Sequence, residues 1–96
     1  MLFQKLKQFS TTIRANGSQR EFNFLKINSA SIPTYHIDVP DERGNRHYFS
    51  LILSGEHWNI SGARVPDWIQ NAERLLEKTI QEFERSVSVG NYRASI

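Results

Sequence analysis

The sequence contains no cysteine. That excludes disulfide scaffolds, zinc ribbons, iron–sulfur clusters and thiol nucleophiles together. A long apolar run is also missing: nothing approaches the roughly 18–20 consecutive apolar residues of a membrane helix. Near the N-terminus Leu2, Phe3 and Leu6 are interrupted by Gln4, Lys5 and Lys7, so no signal-peptide core forms. Glycine-rich phosphate loops, a nucleophile elbow, the zinc-protease helix and the calcium loop are absent as patterns. No segment repeats, and none is of low complexity. These absences lead us to expect a soluble cytoplasmic protein that is not an enzyme and uses no membrane, metal or cofactor.

What is present is the composition of one globular domain. Of 96 residues, 39% are apolar and 23% charged, enough for a single core. The expected domain covers residues 1–88, with a loose tail over 89–96. The net charge is only +2, a weak field for nucleic acid. It is unevenly spread, however. Lys5, Lys7, Arg14 and Arg20 fall in the first twenty residues with no acid among them, and such a segment can attract an acidic partner.

The best local signal is Asn16-Gly17, the preferred pair for a two-residue hairpin turn in which both positions need positive φ. If Ala15 faces Ser18, then Ile13 faces Arg20, Thr11 faces Phe22 and Phe9 faces Phe24. The alternating apolar residues of both flanks then share one face. This predicts strands over about 7–15 and 18–27. Asn28 to Pro33 reads as a loop. Thr34 to Val39 places Tyr35, Ile37 and Val39 on one side and His36 and Asp38 on the other, and Pro40 ends the run. Arg46 to Ser54 follows a loop of turn formers, with Phe49, Leu51 and Leu53 inward. A five-residue loop sets Ile37 opposite Phe49; a three-residue loop preserves the same faces. After Gly55, His57 to Ile60 forms a short fifth strand with Trp58 and Ile60 inward.

The period then changes from two to 3.6. Pro66 suits the first helical position and Asp67 the positive end of the helix dipole. Trp68, Ile69, Ala72, Leu75, Leu76, Ile80 and Phe83 make one broad apolar stripe. Glu73 and Glu77, four apart, repel each other. The helix is expected to end near Ser86 to Val89, with Gly90 as its stop. The fold class is therefore α+β: an antiparallel β-meander of about five strands, with one long C-terminal α-helix packed on one face.

One helix covers one side of such a sheet and leaves the other open. Leu25, Ile27, Tyr48 and Ile52 fall on the open side and are expected to form an apolar contact surface. Small domains gain stability by association, most often as twofold dimers. The leading expectation is thus a binding or assembly module, homodimeric through the open face. The alternative is single-stranded nucleic-acid binding there, with Arg14, Arg46 and Tyr48 as contacts. A meander closed by a C-terminal helix is similar in outline to the repeat of PUR-type single-stranded nucleic-acid-binding proteins. The hairpin Arg14-Ala15-Asn16-Gly17 through Arg20-Glu21-Phe22-Asn23-Phe24 resembles theirs. This sequence departs from that repeat by an extra strand and by few basic residues on the open face.

A third expectation is a small-ligand or metal sensor, or an enzyme, on His36 and Asp38, which share a strand face. Glu56 and His57 are the residues that could add to that pair. His47 has inward parity and reads as a histidine at the edge of the core. Trp58 and Trp68 can stack on bases, but fit the simpler role of anchoring the helix against the last strand. Arg64 lies between them, where it could meet an anion at the helix N-terminus. The other basic residues read as solvated strand ends.

Overall fold

The computed structural model describes residues 8–27, 31–62 and 64–94, with side chains described as far as residue 86. Lys7 and the residues before it lie outside this range. Five antiparallel strands follow the chain in order: β1 (Gln8–Ala15), β2 (Ser18–Ile27), β3 (Thr34–Pro40), β4 (Arg46–Ser54) and β5 (His57–Ser61). Two helices follow, α1 (Asp67–Gln70) and α2 (Glu73–Ala94). The fold class is the expected one.

Turn chemistry sets the register. Asn16 and Gly17 both adopt positive φ, 56° and 76°, and the hairpin pairs Ile13 with Arg20 and Phe9 with Phe24. The β3–β4 connection is the five-residue loop, pairing Ile37 with Phe49 and Tyr35 with Leu51. Asp41 holds that loop: one carboxylate oxygen accepts the backbone N–H groups of Arg43 and Asn45, each at 2.9 Å. Pro40 belongs to β3 and pairs with Arg46, at the end of the ladder, where proline is tolerated.

The strand parity puts Ile13, Phe22, Phe24, Tyr35, Ile37, Val39, Phe49, Leu51 and Trp58 into one core with Ile69, Ala72, Leu76 and Ile80 of the helical segment. Phe9 of β1 stacks between Phe24 and Phe83, with ring centroids 4.5 and 4.0 Å apart. The Tyr35 hydroxyl, at the bottom of the core, donates to Glu84 Oε2 at 2.8 Å. Lys26 Nζ reaches the same oxygen at 2.7 Å. These bonds fix the middle of α2 over β2 and β3.

The helix departs from expectation at four points. Pro66 is not its first residue but the extended N-cap (φ −62°, ψ 157°), and its carbonyl accepts from Ile69 and Gln70. The run is then interrupted. The Ala72 N–H bonds back three residues to the Ile69 carbonyl, the tighter turn of a 3₁₀ segment, before α2 starts at Glu73. Nor does Gly90 stop it. The backbone stays helical to Ala94, since an interior glycine costs a helix only about 1 kcal/mol. Leu75, counted in the apolar stripe, is 47% exposed. Among the described residues no helix is long and apolar enough to cross a membrane.

Candidate functional site: the open sheet face

Residues alternating with the core positions line the face that the helix leaves bare. Three cross-strand rows can be followed from the pairing. The first is Ser10, Asn23, Asp38 and Tyr48; the second is Leu25, His36, Ser50 and Ser61; the third is Ile27, Thr34, Ile52 and Asn59. A shallow groove of about 560 Å³ lies over the first two, lined by Leu25, His36, Asp38, Tyr48, Ser50 and Ser61 among others.

Ser10, Asn23 and Asp38 of the first row, with Arg46 of β4, make a hydrogen-bonded ladder across four strands. Ser10 Oγ donates to Asn23 Oδ1 at 2.6 Å, and Asn23 Nδ2 donates to Asp38 Oδ1 at 2.9 Å. Arg46 Nη1 donates to the same Asp38 oxygen at 2.7 Å. The side chains of Ser10, Asn23 and Asp38 are therefore partnered within the chain. Beside them Tyr48 is 70% exposed and Leu25 is 37% exposed.

All four apolar positions, Leu25, Ile27, Tyr48 and Ile52, lie on this face. They form two strips rather than one patch, because β3 runs between β2 and β4 and interposes Thr34, His36 and Asp38. Arg46 and Tyr48 are neighbours on β4. Arg14 stands three strands away, about 14 Å at ordinary strand spacing, with its guanidinium on the Gly17 carbonyl. The charges balance: Arg14 and Arg46 share the face with Glu21 and Asp38.

The histidines do not converge. His36 stands exposed between Leu25 and Ser50, and its neighbour Asp38 is occupied by Asn23 and Arg46. His57 sits at the far end of β5, four residues along from the Ser61 of the His36 row, or about 13 Å. Its Nδ1 lies 3.1 Å from Glu77 Oε2, and Glu56 is exposed in the turn before it. His47, on the core side, places Nε2 3.1 Å from Asp41 Oδ2 and its ring edge-on to Trp68. That contact holds the Asp41 carboxyl below its ordinary value. Among the described residues no three metal-ligating side chains gather.

Both tryptophans are turned to the core side. Trp58 is buried against Tyr35. Trp68, half-buried on α1, carries the Arg20 guanidinium over its ring at 4.8 Å. Arg64 is exposed before a helical turn of four residues.

Three features escape sequence reasoning. Arg20 is not a solvated strand end but 8% exposed; its Nε donates to the Ala15 carbonyl at 3.0 Å and its Nη2 to Glu42 at 3.0 Å. Asn23 links β1 to β3 on the open face. Glu73 and Glu77, paired only by repulsion in the sequence, close the edge of β5: Glu73 Oε2 accepts the Ile60 N–H at 2.8 Å and Glu77 Oε2 the Trp58 N–H at 3.0 Å. The signal was spacing. Two strand residues span about 6.8 Å and four helical residues about 6.0 Å, so carboxylates at i and i+4 can match alternate strand amides.

Compared with protein-family models, curated proteins and solved structures, the chain matches none.

Proposed function

We propose that the chain is a small non-enzymatic assembly module that meets a second copy of itself through the open face of its sheet. The observation that carries this reading is the Ser10–Asn23–Asp38–Arg46 ladder beside the exposed Tyr48. Covering a polar surface costs most where its groups lose water without gaining partners. Here the side chains of Ser10, Asn23, Asp38 and Arg46 are partnered already, so covering them along with Tyr48 and Leu25 carries a smaller desolvation penalty. The charge balance supports a self-contact as well, since two copies of a neutral face meet without net repulsion. The same balance works against nucleic acid, which needs unpaired cations along its path; Arg46 is held by Asp38.

The test is the assembly mass of the purified chain by light scattering, with Tyr48→Glu and Ile52→Glu alongside. A carboxylate in the middle of this face should reduce the mass at low micromolar concentration. An unchanged mass in either variant would overturn the reading.

A further inference from the structure

The two edges of the sheet are finished differently. On β5 the amides of Trp58 and Ile60 point away from β4 and are taken by Glu77 and Glu73. A strand approaching that edge finds its hydrogen-bond donors occupied. On β1 the two-residue turn makes Ala15 and Ser18 the closing pair. Bonds to β2 then alternate through Ile13, Thr11 and Phe9, which leaves the N–H and C=O groups of Gln8, Ser10, Thr12 and Arg14 pointing outward. Among the described residues no group caps them. Nor does β1 carry the usual protection of an edge, since it has no lysine, proline or glycine and its single charge stands near one end.

We propose that β1 is a second interface, at which β1 of another copy of this chain adds antiparallel and joins two sheets into one of ten strands. This inference does not rest on the open-face reading. The occupant follows from self-complementarity. With the twofold at Thr11, Thr11 faces the partner's Thr11, Phe9 faces the partner's Ile13 and Ser10 faces the partner's Thr12. Gln8 faces the partner's Arg14, so the only charge on the strand meets a neutral amide. Residues 8–14 all find an opposite number. The four outward residues of each copy give about eight backbone hydrogen bonds, two for each opposed pair.

Side-chain layers match in the same register. Phe9, Thr11 and Ile13 continue the apolar layer under α2, beside Leu75, which is 47% exposed and shares a small cavity with Arg14 and Ala15. Gln8, Ser10 and Thr12 continue the polar layer of the open face. Closure favours a second copy over an open-ended stack. Pairing consumes both β1 edges, and the two edges that remain are β5 strands already capped by Glu73 and Glu77, so growth stops at two. The twofold axis runs normal to the sheet and leaves both open faces uncovered on the same side. Edge pairing and face contact are therefore compatible, and together they close four chains.

Native mass spectrometry of four proteins separates the two interfaces: the wild type, Thr12→Pro, Tyr48→Glu and the double variant. Proline at position 12 removes an outward N–H that the chain itself does not use. The expected masses are four chains for the wild type, two for each single variant and one for the double. An unchanged mass in Thr12→Pro overturns the β1 interface, whereas an unchanged mass in Tyr48→Glu overturns only the face reading. A single-chain wild type overturns both. Should Thr12→Pro not fold, amide exchange in the wild type decides the edge. Ser10 and Thr12 should exchange slowly although their N–H groups point away from β2; exchange as fast as that of a loop amide would sink the proposal.

Discussion

Glu77 closes the edge strand at Trp58: its Oε2 accepts the outward Trp58 N–H at 3.0 Å and lies 3.1 Å from the ring of His57. A helix carboxylate thus completes the hydrogen bonding of a strand that, among the described residues, has no neighbouring strand on that side. Glu77→Ala should destabilise the fold by about 1–3 kcal/mol, the cost of leaving a partly buried donor unpartnered. Glu77→Gln keeps an acceptor and should lose less. Urea denaturation of the three proteins measures both differences. Equal stability of Glu77→Ala and the wild type would mean that water caps Trp58 as well as the carboxylate does.

The same contact has a pH signature. The Trp58 N–H, with further help from His57 and Arg74, holds the Glu77 carboxyl below its ordinary value of 4.5. A carboxyl with a depressed folded value stabilises the fold above its unfolded value, and that contribution disappears as pH falls through the folded value. Stability should therefore decline as pH drops below about 4.5. Asp41 adds to the decline from its ordinary value of 3.8 downward, through its bond to His47. In Glu77→Gln the first part of the slope should vanish while the Asp41 part remains. Urea midpoints between pH 5 and pH 2 resolve the two. A slope unchanged in the Gln variant would remove Glu77 from the account.

Tyr35 predicts the opposite dependence. Burial, then the bond to Glu84 and its charge, push the phenol well above its ordinary value of 10.0. A group with a raised folded value contributes fully below its unfolded value and loses that contribution as pH rises toward the folded one. The fold should weaken above about pH 10 because the unfolded chain ionises Tyr35 and the native chain does not. Tyr35→Phe should cost about 0.5–1.5 kcal/mol at neutral pH, the net worth of one hydrogen bond, because Glu84 keeps its contact with Lys26. The alkaline weakening should shrink in that variant. Thermal unfolding of both proteins at pH 7 and pH 10.5 provides the comparison, and an identical alkaline loss would show that another group drives it.

The parts of this fold that sequence reveals are those settled between near neighbours. Asn16 and Gly17 declare the hairpin by their need for positive φ, and strict alternation then assigns every residue of β1 and β2 to a face. Parity likewise places Leu25, Ile27, Tyr48 and Ile52 on the open side. It cannot show that Thr34, His36 and Asp38 divide them, because that depends on β3 lying between β2 and β4. The same limit hides the role of Glu73 and Glu77. Within the helix they are two like charges, and only the position of β5 beside them turns repulsion into a pair of caps. Arg20 had the parity of a core residue. Its burial needed Trp68, 48 residues later in the sequence, to arrive over the guanidinium.

Arg20 supplies the last prediction, since three contacts converge on it and they are unequal. Glu42, the ion-pair partner, has a side chain 68% exposed, and an ion pair with one partner in solvent contributes about 0–1 kcal/mol. The Ala15 carbonyl and the Trp68 ring are internal contacts that water cannot replace without opening the hairpin end. Glu42→Ala should therefore cost under about 1 kcal/mol, and raising salt to 0.5 M should mimic it. Arg20→Ala should cost about 2–4 kcal/mol, since it removes the carbonyl bond, uncovers the Trp68 ring and leaves a void beside the core. Arg20→Lys should recover little, because an ammonium lacks the planar fork that bonds Ala15 while lying flat on an indole. A double-mutant cycle between Arg20→Ala and Trp68→Phe measures the stacking directly. Additivity within about 0.3 kcal/mol would assign the cost to the Ala15 bond alone, whereas clear coupling would establish Trp68 as the residue that makes burial of this charge tolerable.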